Sequence, residues 1–337
     1  MDDTMKIAFV WTGVTSYMAD CWRALAALPG VSLKVVIEEK SDPGTAFRVD
    51  EVMKGLDYVV VGSEDRDAEK ILPDGWRPDV LFIVGWHAKT CRWFATEPRW
   101  EKVPKVCVFD MPWQWRLRKI AARFVLWRYL RRFRAAYVPG RVAARYARWL
   151  GFKDVRTGLF GIRTEKFAGE RKGGEPFFLY VGRNSSEKRL DDLRAAYAAY
   201  ARQVERPWPL RLVGKGLEGG FAQPHEMPAL YAQAGALVLA SDFDPWPLVI
   251  AESCAAGLPV ICTDRCTNHF ELIRDNGIVV KVGDVVGFAA AMRRLHQMTE
   301  EARRRMGQGG RERVASYDCR AWAARTRQMC EELKGRV

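Results

Sequence analysis

Short apolar runs of three to seven residues, separated by stretches with helical spacing, constrain this chain more than any other feature. The first series is 5–11 (MKIAFVW), 31–37 (VSLKVVI), 58–61 (YVVV), 79–84 (DVLFIV) and 105–109 (KVCVF). Nearly continuous apolar character suits strands buried on both faces, as in a parallel sheet. Between the first two runs, Trp22, Leu25 and Leu28 recur at helical spacing. After residue 111 the pattern reads as mainly helical to 150, with 156–160 a short returning strand. A second series follows at 177–181, 210–213, 236–239, 259–262 and 278–280, again with helices between. Strands alternating with helices predict α/β units built on parallel sheets. The stretch 161–176 (GIRTEKFAGERKGGEP) is charged and glycine-rich and is expected to link two such units.

The expected organisation is therefore two Rossmann-like domains facing across a cleft. The first covers 1–165 and the second 173–310, and a polar C-terminal helix at 311–337 packs back on the first. At roughly 150 residues per domain, 337 residues fit two. The chain is 48% hydrophobic, enough for two cores. No apolar run approaches the ~18 residues of a membrane span. The start, MDDTMKIAFVW, lacks the basic region and cleavage site of an export signal, so a cytoplasmic protein is expected. None of the eight cysteines forms a Cys-x-x-Cys pair. Cys262, Cys266 and His269 fall close together, but not at a zinc-site spacing, and no metal is expected.

The net charge is +13, and nearly all of the excess lies in one block. Residues 111–153 hold 12 Lys or Arg and no acidic residue. Such a block predicts an anionic partner, whether acidic lipid head groups, nucleic acid or a charged substrate, and an anionic membrane surface on the cytoplasmic side is the one expected. A nucleic acid is not expected. Within the block Leu117, Ile120, Phe124 and Trp127 share one helical face, with Arg116, Arg118, Lys119 and Arg123 mostly off it. Beyond Trp127 the pattern shifts, so either the helix breaks there or its apolar stripe turns.

Open parallel sheets bind ligands beyond the carboxyl ends of their strands. Asp244 follows the strand 236–239, and Pro247 suits the first position of the helix after it. Glu252 lies along that helix, and Gly257 closes it. A helix start here offers unpaired N–H groups to an anion such as phosphate. Arg183 and Lys188 follow the strand 177–181 and face the same edge. Gly214 to Gly219 (GKGLEG) fits Gly-x-Gly-x-x-Gly, a dinucleotide fingerprint on paper. That fingerprint needs a helix at once, whereas Gly220, Pro224 and Pro228 follow. A backbone approach to a nucleotide base by Gly214 and Gly216 is expected instead.

Together these motifs resemble the retaining glycosyltransferases of the GT-B fold, group 1 or family four. That family carries E-P-F/W-G-L-V-x-x-E, which stands here as Asp244-Pro245-Trp246-Pro247-Leu248-Val249-Ile250-Ala251-Glu252, then Gly257-Leu258-Pro259-Val260-Ile261. Its Gly-Arg-x4-Lys loop stands as Gly182, Arg183 and Lys188. Two further stretches resemble it, Gly220 through Tyr231 and Val138-Pro139-Gly140 through Phe160-Gly161 to Phe167. The resemblance covers residues 135–295 well and the first 130 weakly. It implies that Arg183 and Lys188 hold a donor diphosphate, Asp244 the donor sugar and Glu252 the ribose. Leu248 and Val249 begin the donor-side helix, and Gly13, Thr15 and His87 belong to the opposite side. The donor is a UDP- or GDP-type sugar nucleotide, used as a substrate, with no cofactor and no metal. The acceptor is lipid-linked or a polysaccharide or glycan precursor. Two departures stand out: Asp244 replaces a Glu and Pro247 a Gly, which removes a backbone N–H. A sugar-nucleotide epimerase of the same fold, or a non-catalytic basic protein binding membrane or nucleic acid, are the alternatives.

Overall fold

A computed structural model describes residues 4–38, 49–73, 75–169 and 174–335. It divides into two compact units, Met1–Gly161 with Cys319–Val337, and Ile162–Asp318.

The first unit is built on seven parallel strands: β1 (Met5–Thr12), β2 (Val31–Glu38), β3 (Tyr58–Val61), β4 (Val80–Val84), β5 (Lys105–Val108), β6 (Ala135–Val138) and β7 (Val155–Thr157). Their order in the sheet is β3-β2-β1-β4-β5-β6-β7. The central runs are continuous in sequence because both sheet faces are covered: Ile7, Ala8, Phe9 and Val10 are wholly buried. Phe9 stacks on Phe82 across β1 and β4, ring centroids 4.4 Å apart. Strand β6 lies in the stretch expected to be helical. Its sequence AAYV sets two alanines, poor strand formers, before Tyr137 and Val138, and its place between β5 and β7 decides its conformation. The returning strand is shorter and earlier than 156–160, because Gly158 turns the chain out with φ 89°.

The C-terminal stretch is neither one helix nor polar all round. The helix Glu300–Val314 ends in a 3-10 turn, Ala315–Tyr317, and a second helix, Cys319–Lys334, belongs to the first unit. There Trp322 is fully buried, with its Nε1–H donated to the Leu159 carbonyl at 2.6 Å. The basic segment answers its open question with a break. A helix over Leu117–Val125 stops at Leu126 and a single turn, Trp127–Leu130, follows.

The second unit has five parallel strands: β8 (Phe178–Val181), β9 (Leu210–Val213), β10 (Ala236–Leu239), β11 (Val260–Thr263) and β12 (Gly277–Val280). Their order is β12-β11-β10-β8-β9. Of the expected linker, residues 170–173 lie outside the described residues. Those before them are not free. Ile162 is buried and donates its N–H to the Tyr317 carbonyl at 2.9 Å, and Thr164 Oγ1 donates to the Asp318 carboxylate at 2.6 Å.

Each sheet has one point where the strand order reverses. In the first it lies between β1 and β4, and in the second between β8 and β10. Connections leave these neighbouring strands in opposite directions, which opens a crevice at their carboxyl ends.

Candidate functional site

The second switch point is built from the loops after β8 and β10. Strand β8 runs out at Gly182, whose N–H still reaches the Val213 carbonyl at 3.0 Å. Tyr180 then donates its hydroxyl to the Arg183 carbonyl at 2.8 Å and fixes the exit of the loop. A 3-10 turn, Ser186–Lys188, leads to Arg189, which is left-handed at φ 47°. Among the described residues it is the one non-glycine with positive φ. This costly conformation reverses the chain into the helix Leu190–Ala201 and directs Lys188 towards β10.

Lys188 meets Asp244 there, Nζ to Oδ2 2.5 Å, with side chains only 14% and 12% exposed. Arg183, from the same loop, stays in solvent at 80% side-chain exposure and pairs with Glu187 at 3.1 Å. The Glu187 carboxyl is held below its usual range by the Ser185 hydroxyl, its own N–H and Arg183. Thus one of the two expected cations is buried on a carboxylate, and the other waits at the surface.

The loop carrying Asp244 is clamped from the β11 side. Asp244 donates its N–H to the Arg265 carbonyl at 3.2 Å and accepts from the Thr267 N–H at 3.0 Å. Thr267 Oγ1 bonds the Pro245 carbonyl, and Thr263 Oγ1 the Ser241 carbonyl. Asn268, wholly buried, donates Nδ2 to the Pro247 carbonyl at 2.9 Å. Sequence reasoning missed this clamp. Its one signal in the sequence is a run of short polar residues at the carboxyl edge of β11. Cys266 serves the clamp through its backbone, and His269 turns Nδ1 to the Cys266 carbonyl at 2.9 Å. Among the described residues no group of three or more His, Cys, Asp or Glu is placed to hold a metal ion.

Pro247 stands one position outside the helix Leu248–Ala256, as its N-cap rather than its first residue. The N–H groups of Leu248 and Val249 therefore open the first turn, where helix geometry gives them no intrahelical partner. Gly257, left-handed at φ 70°, closes the helix as its sequence position required. About one turn along the helix from Leu248, Glu252 Oε2 accepts the Tyr231 hydroxyl at 2.7 Å. Burial raises the Glu252 carboxyl above its ordinary value, against the lowering pull of Tyr231 and the Lys166 charge. Tyr231 is fully buried against Phe167, and its bond to Glu252 is not legible in the sequence.

After β9 the glycine loop folds back on itself. Gly219 donates to the Leu212 carbonyl at 2.9 Å, and Gly214 to the Gly220 carbonyl at 2.8 Å. The next helix starts at Met227, so the dinucleotide fingerprint has no helix behind it. Gly214 is required by packing: a Cβ there would lie 1.9 Å from the Gly182 carbonyl oxygen. Gly216, exposed at φ 77°, tops the loop.

In the first unit, Gly13 follows β1 at φ 67°, and Thr15 precedes the helix Ser16–Ala26 without capping it by its side chain. His87 follows β4. Thr15 and His87 both line a cavity of about 600 Å³ at that switch point, with Trp11, Tyr17, Glu38 and Asp110. Partial burial, then Arg118, Arg92 and Lys119, lower the His87 imidazole from its usual value.

Residues 161–313, nearly the whole second unit, match the family model described as glycosyl transferases group 1. The second unit is a group 1 glycosyl transferase domain. Over 196 residues the chain is 29% identical to a glycogen synthase of Mycobacterium tuberculosis, covering 52% of this chain and 47% of the relative. The chain thus spans about half the length of that relative. Solved structures share the fold along the whole chain. Sucrose-phosphate synthase from Thermosynechococcus elongatus superposes with a TM-score of 0.72 at 18% identity, covering 99% of this chain and 100% of the other. An Anabaena protein in complex with UDP and glucose superposes at 0.71 and 13% identity, covering 97% and 100%. The fold is the GT-B fold. Within the group 1 domain, the positions that depart from the family's motif are Asp244, bound to Lys188, and Pro247, held by Asn268.

Proposed function

We propose that this protein transfers a hexosyl group from a nucleotide-diphosphate sugar to an acceptor hydroxyl, with retention of configuration. The observation that carries the reading is the Lys188–Asp244 pair at the switch point of the group 1 domain, with Glu252 on the helix that follows. Lys188 and Arg183 bind the donor diphosphate, and the first-turn N–H groups of Leu248 and Val249 add to the positive field. Asp244 orients the donor sugar through its hydroxyls, and Glu252 accepts from the ribose hydroxyls. The loop at Gly214 and Gly216 flanks the base. The bond from the anomeric carbon to the diphosphate oxygen breaks, and its electron pair leaves with the diphosphate. The acceptor oxygen bonds the anomeric carbon on the same face, and its proton passes to the departing diphosphate. The cations stabilise the charge that grows on that leaving group, so the reaction runs without a metal. A uridine or guanosine donor fits this reading, and the UDP complex of the Anabaena neighbour supports the former.

The acceptor is a glycan or a lipid-linked precursor. The first-unit cavity supports a sugar there: Thr15, Tyr17, Glu38 and Asp110 offer hydroxyl and carboxylate partners, and Trp11 an apolar ring. His87 and Gly13 belong to the same acceptor side. The uncompensated charge of residues 111–153 supports a reaction carried out at an anionic membrane surface. Among the described residues no helix is long and apolar enough to cross a membrane.

Nucleotide release from a panel of UDP-, GDP- and ADP-sugars tests the chemistry, on the wild type and on Glu252→Ala. One donor class is expected to turn over, with donor affinity reduced in the variant. Absence of binding and turnover for every donor rejects the reading. The anomeric configuration of the product, read by NMR, tests retention.

A further inference from the structure

The helix Leu117–Val125 lies inside out on the first unit. An amphipathic helix on a water-soluble protein normally packs its apolar arc on the core and turns its charges outward. Here none of its residues is buried. Leu117, Phe124 and Val125 are 86%, 67% and 77% exposed, and Trp115 before the helix is 81% exposed. Two of its cations lie against the protein instead, while Arg118 stays exposed beside the arc. Lys119 sits over the Tyr146 ring at 4.8 Å, and Arg123 over Trp149 at 5.3 Å, with a hydrogen bond to the Trp149 carbonyl at 3.0 Å. Beside the arc runs a groove of about 620 Å³. Buried Leu130, Phe133 and Phe152 form its apolar part, and exposed Arg131, Arg134 and Lys153 supply its charge.

From this arrangement we infer that the helix Leu117–Val125 is an insertion element for an anionic phospholipid surface. Trp115, Leu117, Phe124, Val125 and Trp127 enter the acyl boundary, and the groove of Arg131, Arg134 and Lys153 takes lipid phosphates. The inference rests on the membrane attachment proposed above and not on the transfer chemistry. It adds that apolar insertion, and not surface charge alone, holds the protein there. Two observations select a bilayer as the occupant. The arc and its groove lie in a stretch, 111–153, that holds cations and no acidic residue, so the surface around the apolar arc complements a uniformly anionic head-group layer. Exposed aliphatic Leu117 and Val125, at the two ends of the helix, have no counterpart in a nucleic acid but suit hydrocarbon.

The test is co-sedimentation of the full chain with phosphatidylcholine vesicles, with and without phosphatidylglycerol. The comparison variant carries Leu117→Gln, Phe124→Gln and Val125→Gln, which keeps helix propensity and leaves the core untouched. Wild type is expected to bind only the anionic vesicles, and to stay partly bound at ~0.5 M salt, where exposed charges are largely screened. The triple variant is expected to bind about tenfold or more weakly, given the apolar area removed. Its nucleotide release with a soluble acceptor should equal that of wild type. If the triple variant binds as wild type does and salt releases both, insertion is overturned and charge attachment stands. If neither binds vesicles, both fall, and nucleotide release still reports on the transferase reading alone. Tight binding of an RNA oligonucleotide in place of vesicles also overturns the inference.

Discussion

The turn after β8 and the helix Leu117–Val125 are both rich in cations, and they dispose of them in opposite ways. The turn buries Lys188 on a carboxylate, so the pair is neutral as a unit. The helix lays Lys119 and Arg123 on aromatic rings. A ring attracts a cation without cancelling its charge. The field of residues 111–153 therefore stays intact for an external anion, while Lys188 meets an anion only by sharing or leaving Asp244. Burial and Arg118 pull Lys119 down to about 8, so even there the charge is mostly kept at neutral pH. The lesson is that the partner of a cation, more than its exposure, decides whether it works at short or long range.

The largest effect should come from breaking the neutral pair. Lys188→Ala removes a preorganised contact to the leaving diphosphate and is expected to lower turnover about 100- to 1000-fold. It also strands Asp244, a loss on the order of 3 kcal/mol in stability. The two losses separate in the double variant with Asp244→Asn, which should recover much of the stability and none of the turnover. Lys188→Arg should recover part of both. Full activity in Lys188→Ala, measured as nucleotide release, would break the contrast at its root.

Glu252 offers a second, smaller test of the tightly built side. Its folded pKa is raised, so the fold binds its proton more strongly than the unfolded chain does. The stability it contributes is present below the unfolded value of 4.5 and is lost as pH rises through the folded value. Glu252→Gln cannot ionise. The melting temperature of the variant should therefore gain on that of wild type as pH rises from 4.5 towards neutrality. Donor affinity of the wild type should fall over the same interval on acidification, because the ribose needs an ionised acceptor. Parallel melting curves for the two proteins would show that burial at Glu252 is not felt.

What the sequence could show follows the same division. The strands were legible because both sheet faces are covered, which leaves continuous apolar runs such as 5–11 and 236–239. Strand β6 was not, because AAYV owes its conformation to its neighbours. Arg183, Lys188 and Asp244 were singled out because they follow strands, and Glu252 because it lies on the helix after Asp244, all of them signals carried by local order along the chain. Their partners were not: Lys188 and Asp244 lie 56 positions apart, and Tyr231 and Glu252 21 apart, distances that only the sheet order closes. The apolar stripe of 117–127 was visible too. A stripe, however, gives the spacing of a face and not the direction it points. That direction was decided by Tyr146 and Trp149, which took the cations.

The smallest expected effect is the one that most sharpens the contrast. In a packed helix, replacing three large apolar residues by glutamine would unfold the unit, since each buried side chain of that size is worth roughly 1.5–3 kcal/mol. On the helix Leu117–Val125 the same residues already stand in water. Their change to glutamine removes no protein contact from the core and keeps the helix propensity. The stability of the triple variant should therefore stay within about 0.5 kcal/mol of wild type, as for ordinary surface substitutions. Urea unfolding of the two proteins side by side measures this. A marked loss would mean that the arc is covered by protein in solution, and the helix would then be packed in the ordinary sense. An unchanged midpoint, together with weakened vesicle binding, assigns the arc to a surface outside the molecule. The turn after β8 would then owe its charge to the site, and the helix would owe its apolar face to the membrane.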